Sequence, residues 1–245
     1  MQNWLIIGAT SGIASQVIRL LAHKKKRLIL SGRDMAQIEK IAKDTEIRYN
    51  TEVKTKLFNA LDFDSHSDFI HEIEESFGKI YGVIWAVGVL GQQDKLENDF
   101  KAAKLDHDIN YTAAMSFLGE IANYMERRKT GHIVVLGSVA GDRGKASNYI
   151  YGAAKAALNT FLQGLRQRLA PAGVKVLTVK PGPVRTRMTD GLEKLPLLAN
   201  PQDVAKDIVR AIERGSEVLY TPLIWRLIMI LIRHVPEKIY KKISL

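Results

Sequence analysis

An α/β fold, a single domain built on one doubly wound parallel sheet, is the structure that this sequence predicts. Short apolar runs rich in β-forming residues alternate along the 245 residues with longer amphipathic stretches. Most of the runs are almost wholly apolar, as expected for strands that helices cover on both faces. Hydrophobic residues make up 46% of the chain and charged residues 25%, which is ordinary for one globular core. We therefore expect about seven parallel strands with helices on both faces.

The predicted elements alternate from the first strand onward. Strand patterns cover residues 4–7, 28–30, 53–57, 83–87, 132–136, 174–179 and 218–220. Helical patterns lie near residues 13–23, 35–43, 65–77, 100–127, 149–170 and 201–214. Because the pattern contains no linker and no internal repeat, we assign residues 1–220 to one domain and residues 221–245 to its C-terminal extension.

The first predicted strand runs directly into the glycine-containing segment GATSGIA, residues 8–14, and then into a helix. Small residues there let the backbone turn sharply and approach a pyrophosphate, whose charge the helix N-terminus favours. The candidate contacts are Gly8, Thr10, Ser11, Gly12 and Ile13. This arrangement is typical of a Rossmann dinucleotide-binding unit.

The end of the second strand bears on the choice of dinucleotide. Arg33 can pair with a 2'-phosphate and stack on adenine, which favours NADP(H) over NAD(H). Asp34 can hold a ribose hydroxyl or, as the more ordinary interpretation, cap the next helix. Asp62, after the third strand, can contact the adenine or cap a helix, and the sequence leaves both interpretations open.

Two side chains of the helix predicted over residues 149–170 form a candidate proton-transfer pair. Tyr151 and Lys155 lie four residues apart, so they emerge on one helix face. An ammonium beside a phenol lowers the phenol pKa, which is about 10 when unperturbed. Ser138 follows an apolar strand at the ligand-binding edge of the sheet. Tyr149 has Ala153 at the same spacing, so no cation accompanies it; a lone Tyr-x-x-x-Lys is usually helix surface.

Together these motifs resemble the short-chain dehydrogenase/reductase family. GATSGIA resembles its glycine motif, GSVAG carries the serine, YGAAK is similar to its Tyr-x-x-x-Lys motif, and DINYTAA supplies an asparagine, Asn110. The segment KPGPVRT, residues 180–186, is similar to the stretch that contacts the nicotinamide. Two positions depart from the family pattern: Ala14 replaces the last glycine, and Trp85-Ala86-Val87-Gly88 stands where the family usually has Asn-Asn-Ala-Gly.

The resemblance implies hydride transfer between a nicotinamide and a carbonyl carbon. It implies that Tyr151 donates the proton in reduction, that Lys155 binds the nicotinamide ribose, and that Ser138 hydrogen-bonds the substrate oxygen. Asn110 would organise a proton-relay water. Further cofactor contacts that it implies are Gly88, Pro181, Gly182, Val184 and Thr186. A homo-oligomer, dimeric or tetrameric through the two long helices, is also implied.

Several less common stretches resemble a narrower group of the family, reductases that act on a polyprenyl-phosphate-linked keto-sugar. These stretches are NALDFDSHSDFI, VGVLGQQ, INYTAAMS, PGPVRTRMT and the sequence from residue 222 onward. The resemblance implies a lipid-linked keto substrate and a flavin-dependent oxidase partner. The alternative is a carbonyl or 3-oxoacyl reductase for a soluble or fatty substrate, and we expect the leucine-rich loop at residues 187–200 to set that choice.

The C-terminal extension is apolar but interrupted by cations. Only the six residues 227–232 are uninterruptedly apolar, far fewer than the roughly 20 that cross a bilayer. Five cations accompany a single carboxylate, Glu237, which a buried helix would not accommodate. We expect an amphipathic helix, broken near Pro236, that contacts lipid or a lipid-linked substrate. The alternative is a helix that caps the substrate cleft or a dimer interface.

Composition excludes several other function classes. The absence of cysteine excludes disulfides, thiolate metal sites and thiol catalysis, and the six histidines show no metal-ligand spacing, so no metal is expected. The formal net charge of +10 indicates an anionic partner, but no nucleic-acid-binding module accompanies it. A nucleotide-sensing protein without chemistry would not need Tyr151, Lys155 and Ser138 together. We expect a cytoplasmic protein with peripheral contact on the inner face of the membrane.

Overall fold

A computed structural model describes residues 2–191 and 196–243 of the chain. Its centre is a seven-stranded sheet in the order β3-β2-β1-β4-β5-β6-β7, and all neighbouring strands are parallel. The strands are β1 (Asn3–Ile7), β2 (Arg27–Gly32), β3 (Val53–Leu57), β4 (Ile80–Trp85), β5 (His132–Leu136), β6 (Lys175–Pro181) and β7 (Val218–Thr221). The predicted doubly wound fold is therefore confirmed.

Helices follow the strands and cover both faces of the sheet. They are α1 (Gly12–His23), α2 (Met35–Tyr49), α3 (His66–Phe77), α4 (Gln93–Leu96), α5 (Phe100–His107), α6 (Ala113–Arg128), α7 (Tyr149–Leu169), α8 (Pro201–Glu213), α9 (Ile224–His234) and α10 (Glu237–Tyr240). Alternate residues of β1 show why both layers form. Leu5 and Ile7 pack toward α3, α6 and α7, whereas Trp4 and Ile6 pack toward α1, α2 and α8.

Three predicted elements differ most from the structure. The helix expected over residues 100–127 is divided into α5 and α6 by a π-helical segment, Asp108–Thr112. Helix α2 continues past residue 43 to Tyr49, where Asn50 takes the left-handed conformation and ends it. The fourth strand begins three residues and ends two residues earlier than expected, since it spans Ile80–Trp85.

The order of the strands predicts where a ligand-binding crevice lies in the sheet. Strand β1 lies between β2 and β4, so successive connections leave it in opposite directions. Ligands of doubly wound sheets bind outside the carboxyl ends of the strands at such a switch point. The segments that follow β1, β4, β5 and β6 meet at this edge, and they carry Gly8, Gly88, Ser138 and Gly182.

The C-terminal extension forms the predicted amphipathic helix. Helix α9 ends at His234, and Pro236 precedes the short α10, so the expected break near Pro236 is confirmed. Trp225 and Met229 pack against Val139, and they are the buried residues of α9. None of the helices in residues 2–191 and 196–243 combines the length and the apolar character that crossing a bilayer requires.

Candidate active site

The turn after β1 requires glycine at its first position. Gly8 has φ +82°, and a Cβ added there would lie 2.8 Å from the backbone carbon of Ala86. The N–H groups of Gly8 and Ala9 both donate to the carbonyl of Ser31, at 2.9 and 3.2 Å. The backbone of the 8–12 turn is therefore held between the ends of β2 and β4, where the sequence predicts a pyrophosphate site.

The N-terminus of α1 lies at this turn. Ser11 is its N-cap residue, but the Ser11 side chain makes no capping hydrogen bond, and the first helical turn contains no acidic residue. The first N–H groups of a helix have no partner within the helix and carry partial positive charge. Thr10, Ser11, Gly12 and Ile13 thus present the anion-binding end of a twelve-residue helix to the crevice.

The segment after β6 passes over the start of α1. A Cβ at Gly12 would lie 2.8 Å from Cγ2 of Thr186, so Thr186 packs directly on the helix terminus. Val184 is buried, and its bridge to Ala199 belongs to the same segment. Pro181 ends β6, and the N–H of Gly182 donates to the carbonyl of Thr221 at 3.1 Å. The structure thus brings the two predicted cofactor segments, 8–13 and 181–186, into contact.

The residues predicted to bind the adenosine half of the cofactor lie after β2 and β3. Arg33 is exposed just beyond β2. The carboxylate of Asp34 accepts a hydrogen bond from the N–H of Gln37 at 3.0 Å, so Asp34 caps α2, as its ordinary interpretation predicts. Asp62 precedes a 3₁₀ turn but makes no capping hydrogen bond with its side chain. Its predicted contact with adenine stays a prediction.

Ser138, Tyr151 and Lys155 come together behind the end of β5. Tyr151 and Lys155 both lie on the buried face of α7. The Ser138 Oγ accepts from the N–H of Ala140 at 3.1 Å, and the same hydroxyl lies close enough to Tyr151 to lower the pKa of its phenol. The Lys155 Nζ lies 5.5 Å from the centre of the Tyr151 ring. Tyr149 is by contrast exposed and hydrogen-bonded to Glu97, so it takes no part in this cluster.

Burial is the largest cause of the pKa shifts of Tyr151 and Lys155. It raises the pKa of Tyr151 to about 12, and the hydrogen bond from Ser138 opposes this rise. Burial also lowers the pKa of Lys155 to about 8, opposed by the charge of Asp106. The expectation that Lys155 holds the pKa of Tyr151 down is therefore not met in the protein alone. Loss of hydration disfavours the charged forms of both side chains.

Asn110 lies in the π-helical segment and is fully buried. Its Oδ1 accepts from the N–H of Val89 at 3.1 Å, and its Nδ2 donates to the Val89 carbonyl at 3.0 Å. A Cβ at Gly88 would lie 3.1 Å from Asn110 Oδ1 and 3.3 Å from Lys155 Nζ. Asn110 and Lys155 therefore flank Gly88, and the π-helical segment turns Asn110 toward the loop after β4.

Sequence reasoning missed Asp106, which is 3% exposed. Its Oδ1 accepts from Asn110 Nδ2 at 2.9 Å, and its Oδ2 accepts from the N–H of Gly91 at 3.1 Å. An acidic residue four positions before Asn110 shares its helix face, and this spacing was the available signal.

A second polar group that sequence reasoning missed lies beyond the serine. The Lys180 Nζ contacts Asp142 Oδ1 at 2.5 Å, and the Tyr220 hydroxyl donates to Asp142 Oδ2 at 2.7 Å. Burial raises the pKa of Tyr220 to about 12. Lys180 belongs to the segment 180–186, but no sequence pattern connects it with Asp142 or Tyr220. This group joins the serine loop to β6 and β7.

Arg143 ties the C-terminal extension to the serine loop. Its Nη1 donates to the carbonyls of Ile232, Arg233 and Val235, at 2.9, 3.1 and 2.7 Å. Its guanidinium lies 3.9 Å from the centre of the Tyr240 ring. On the other side of α9, Trp225 lies against Gly182, where a Cβ would overlap the indole. The extension therefore spans the two loops that border the crevice.

Comparison with known proteins agrees with this fold and these motifs. The family model described as short chain dehydrogenase matches residues 2–195. An uncharacterised oxidoreductase of Mycobacterium tuberculosis is 32% identical over 238 residues, covering 97% of this chain and 95% of the relative.

Solved structures match at lower identity. A short-chain dehydrogenase from Sphingobium yanoikuyae, in complex with NADPH, superposes with a TM-score of 0.84 at 22% identity and 97% coverage of both chains. A 3-oxoacyl-[acyl-carrier protein] reductase from Brucella melitensis, in complex with NAD, has a TM-score of 0.80 at 21% identity and covers 89% of this chain and 94% of its own.

The fold and the crevice define a doubly wound α/β protein of the nucleotide-binding type. The match over residues 2–195 then settles the family: the chain belongs to the short-chain dehydrogenases, and it is an oxidoreductase of that family.

Proposed function

We propose that this protein is an NADP(H)-dependent reductase that converts a keto group to a hydroxyl, with Tyr151 as the proton donor. The observation that carries the proposal is the convergence of Ser138, Tyr151, Lys155 and Asn110 beside the turn after β1. Since burial raises the pKa of Tyr151 to about 12, its hydroxyl is protonated at neutral pH. A protonated phenol suits the reductive direction, because reduction consumes a proton at the substrate oxygen.

The crevice fits a nicotinamide dinucleotide. The close backbone approach at Gly8 and the uncapped N-terminus of α1 suit a pyrophosphate held by Thr10, Ser11, Gly12 and Ile13. The indole N–H of Trp225, buried beside Gly182, has no hydrogen-bond partner in the part of the chain that the structure describes, which suits a ligand there. When bound, the nicotinamide would supply the hydride.

The remaining cofactor contacts follow the crevice. The residues that would hold the nicotinamide and its ribose are Gly88, Lys155, Pro181, Gly182, Val184 and Thr186. Arg33 and Asp62 would hold the adenosine end, with Arg33 pairing with the 2'-phosphate.

The chain's own residues would divide the remaining work. Ser138 would donate a hydrogen bond to the carbonyl oxygen and orient it toward Tyr151. Tyr151 would transfer its proton to that oxygen as negative charge develops there. Lys155, as an ammonium, would stabilise the phenolate that Tyr151 becomes. Asn110 would hold the loop after β4 and a water that returns a proton to this pair.

For the substrate, we propose a polyprenyl-phosphate-linked keto-sugar. The less common stretches of the sequence resemble the reductase that acts on decaprenylphosphoryl-2-keto-ribose, which works after a flavin-dependent oxidase in an epimerase pair. A surface that suits such a substrate lies on α9. Its exposed apolar residues are Leu223, Ile224, Leu227, Ile230 and Leu231, and exposed cations on the same extension are Arg226, Arg233, Lys238, Lys241 and Lys242.

This surface, which we call the α9 face, also supports peripheral contact with an anionic membrane. Leu227 and Leu231 are 59% and 71% exposed, one helical turn apart. Aliphatic side chains on one face with cations beside them are typical of helices that lie in the lipid interface. Since Arg143 ties α9 to the serine loop, a lipid-linked substrate on this face would have its sugar near Ser138.

Substrate class can be tested by NADPH oxidation with three carbonyl compounds. These are a polyprenylphosphoryl-2-keto-pentose, the same keto-sugar phosphate without its polyprenyl tail, and a 3-oxoacyl thioester. The proposal expects the largest kcat/KM for the tailed sugar. An equal or larger value for the thioester would favour the alternative, a 3-oxoacyl or carbonyl reductase. The loop at residues 187–200, which we expect to influence this choice, lies partly outside the described residues.

Cofactor preference can be tested at Arg33. Replacing Arg33 with Ser removes a charged hydrogen-bond donor, so the KM for NADPH should rise about tenfold or more while the KM for NADH stays the same. Arg19, an exposed arginine on α1, is the matched control. An unchanged ratio of the two KM values in Arg33→Ser would contradict the role of Arg33.

Membrane contact can be tested by flotation with vesicles that contain anionic phospholipid. The full chain should float with the vesicles, and a chain that ends at Pro222 should stay in the dense fraction. Equal flotation of the two chains would contradict the proposal that the extension binds lipid.

A further inference from the structure

Asp106 is a buried carboxylate without an ion pair within the described residues. It lies on α5, it is 3% exposed, and no Lys, Arg or His nitrogen lies within salt-bridge distance of it there. Both of its oxygens instead accept hydrogen bonds from amide groups, those of Asn110 and Gly91. A buried carboxylate without a cationic partner loses its hydration, so its surroundings have to compensate for its charge.

The position of Asp106 connects it directly with Asn110 and, through the loop at Gly88, with Lys155. Asn110 Nδ2 donates to Asp106 Oδ1 at 2.9 Å and to its backbone carbonyl at 3.0 Å. The other side of the Asn110 amide binds Val89, next to Gly88, where Lys155 Nζ also lies. Asp106 therefore sets the orientation of the Asn110 amide, because its carboxylate can only accept and the Nδ2 group must face it.

The charge of Asp106 acts on the two ionisable groups of α7. It opposes the lowering of the pKa of Lys155 by burial, and it raises the pKa of Tyr151. Other charged side chains on α4, α5 and the π-helical segment are exposed or partnered elsewhere: Asp94, Lys95, Glu97, Asp99, Lys101, Lys104, His107 and Asp108. On the serine loop, which also packs on α7, Asp142 is paired with Lys180 and Tyr220. Asp106 is thus the carboxylate of these elements that acts on Lys155 and Tyr151.

We propose that Asp106 is a positioning residue of the reductase site: its carboxylate orients the Asn110 amide and serves as the counter-charge of Lys155. The catalytic role of Asp106 in this inference rests on the proposed function. Its effect on the charge of Lys155 can be measured in the protein alone, without a substrate. Without Asp106, Lys155 would lose its proton more readily in the low-dielectric core. It could then no longer stabilise the Tyr151 phenolate that forms when the proton is transferred.

The test is a titration of Lys155 by NMR in protein labelled at the lysine side chains, without cofactor. The signal is assigned by its loss in Lys155→Met. In Asp106→Asn the midpoint of the Lys155 titration should fall by about one pH unit relative to the wild type, since a neighbouring negative charge is removed. Asp106→Glu, which keeps the charge, should restore most of the shift. Asp108→Asn, which removes a partly exposed carboxylate paired with Lys104, should leave the Lys155 midpoint unchanged.

Activity supplies a second readout. The alkaline limb of the kcat profile should move to lower pH in Asp106→Asn by the same interval as the titration, which a simple packing defect would not cause. Unchanged Lys155 titration in Asp106→Asn would overturn the proposal. If that variant does not fold, the wild-type titration decides, because a Lys155 that is neutral at pH 7 would overturn it too. A wild type that reduces no carbonyl compound would contradict the proposed function and still leave the titrations decisive for Asp106.

Discussion

The region around α7 and the C-terminal helix α9 depart from ordinary burial in opposite directions. Around α7, side chains that proteins usually expose are inside: Asn110 is 0% exposed, and Asp106 and Lys155 are each 3% exposed. On α9, side chains that proteins usually bury are outside, with Leu223 and Leu231 about as exposed as ordinary surface residues. The first region places charge in the core, and the second places hydrocarbon in water.

Both departures cost stability in the protein alone, and under the proposed function a bound ligand would offset each of them. Buried ionisable groups with perturbed pKa values are concentrated at functional sites, because catalysis needs proton affinities that water would not give. Contiguous exposed aliphatic side chains mark surfaces that meet another apolar body. Local rules of sequence and structure are expected to fail at functional sites, and the two regions where they fail here are joined by the hydrogen bonds of Arg143.

The largest expected effect is that of Tyr151→Phe, which removes the hydroxyl at the centre of the first region. We expect kcat for carbonyl reduction to fall by about 10³-fold, within the range that general acid catalysis contributes. Melting temperature should not fall, since the ring stays and a buried hydroxyl is lost. Steady-state NADPH oxidation measures the loss, and Tyr149→Phe on the exposed side of α7 is the matched control. Undiminished turnover in Tyr151→Phe would refute the assignment of the proton donor.

Lys155→Met should change the free energy of unfolding and the activity in opposite directions. Burial lowers the pKa of Lys155 from 10.5 to about 8, so its charge costs the folded state about 3 kcal/mol at pH 7. The variant should therefore be more stable than the wild type at pH 7 while its activity is lost. Urea unfolding at several pH values measures the difference.

The pH dependence of that difference has a definite sign. Between about pH 8 and 10.5 the unfolded wild type binds the Lys155 proton and the folded wild type does not. Wild-type stability relative to the variant should therefore rise across this interval, and the advantage of Lys155→Met should shrink. A constant difference from pH 7 to pH 10.5 would show that Lys155 is not a buried charge.

Arg143→Ala tests the connection between the two regions. The variant loses hydrogen bonds to three carbonyls near the end of α9 and the contact with Tyr240, which together should lower local stability by about 1–3 kcal/mol. Hydrogen exchange should become faster in residues 224–240 and stay the same in β1 and β4. Arg226→Ala, at an exposed arginine of the same helix, is the control. Equal exchange in both variants would mean that Arg143 does not hold the extension.

The smallest effect on stability is expected in the second region. Leu227→Glu combined with Leu231→Glu changes exposed positions, so the free energy of unfolding should change by less than about 0.5 kcal/mol per residue. Vesicle flotation should nevertheless be lost, since the carboxylates would meet anionic phospholipid. Leu57→Glu, at a leucine that is also 60% exposed but lies on β3, is the matched control. Flotation of the double variant like that of the control would leave the α9 face without a membrane role.

Much of the fold could be predicted because its signals are local. The apolar run Ile133-Val134-Val135-Leu136 has the length and composition of a strand, and the structure places it in β5. Asp34 caps α2 as its position before a helical pattern predicts. Helix α9 and its end near Pro236 follow from periodicity and the conformational limits of proline. Such features depend on neighbours within a few residues, which a sequence displays directly.

Other features depend on segments far apart in the chain. Loss of hydration is the largest cause of the pKa shifts of Tyr151 and Lys155, and the depth of burial is set by several elements together. The π-helical turn at Asn110 is stabilised by hydrogen bonds to Val89, 21 residues earlier. Neither the strength of burial nor the partners of a buried amide can be read from spacing.

The sequence by itself determined the parallel sheet, the glycine turn and the candidate trio of Ser138, Tyr151 and Lys155. Periodicity and short motifs are properties of consecutive residues, so they are present before folding. Only the tertiary structure decided which charges are inside, that Asp106 binds the Asn110 amide, and that Arg143 joins α9 to the serine loop. These depend on distance and on exclusion of water, which exist only once remote segments have packed together.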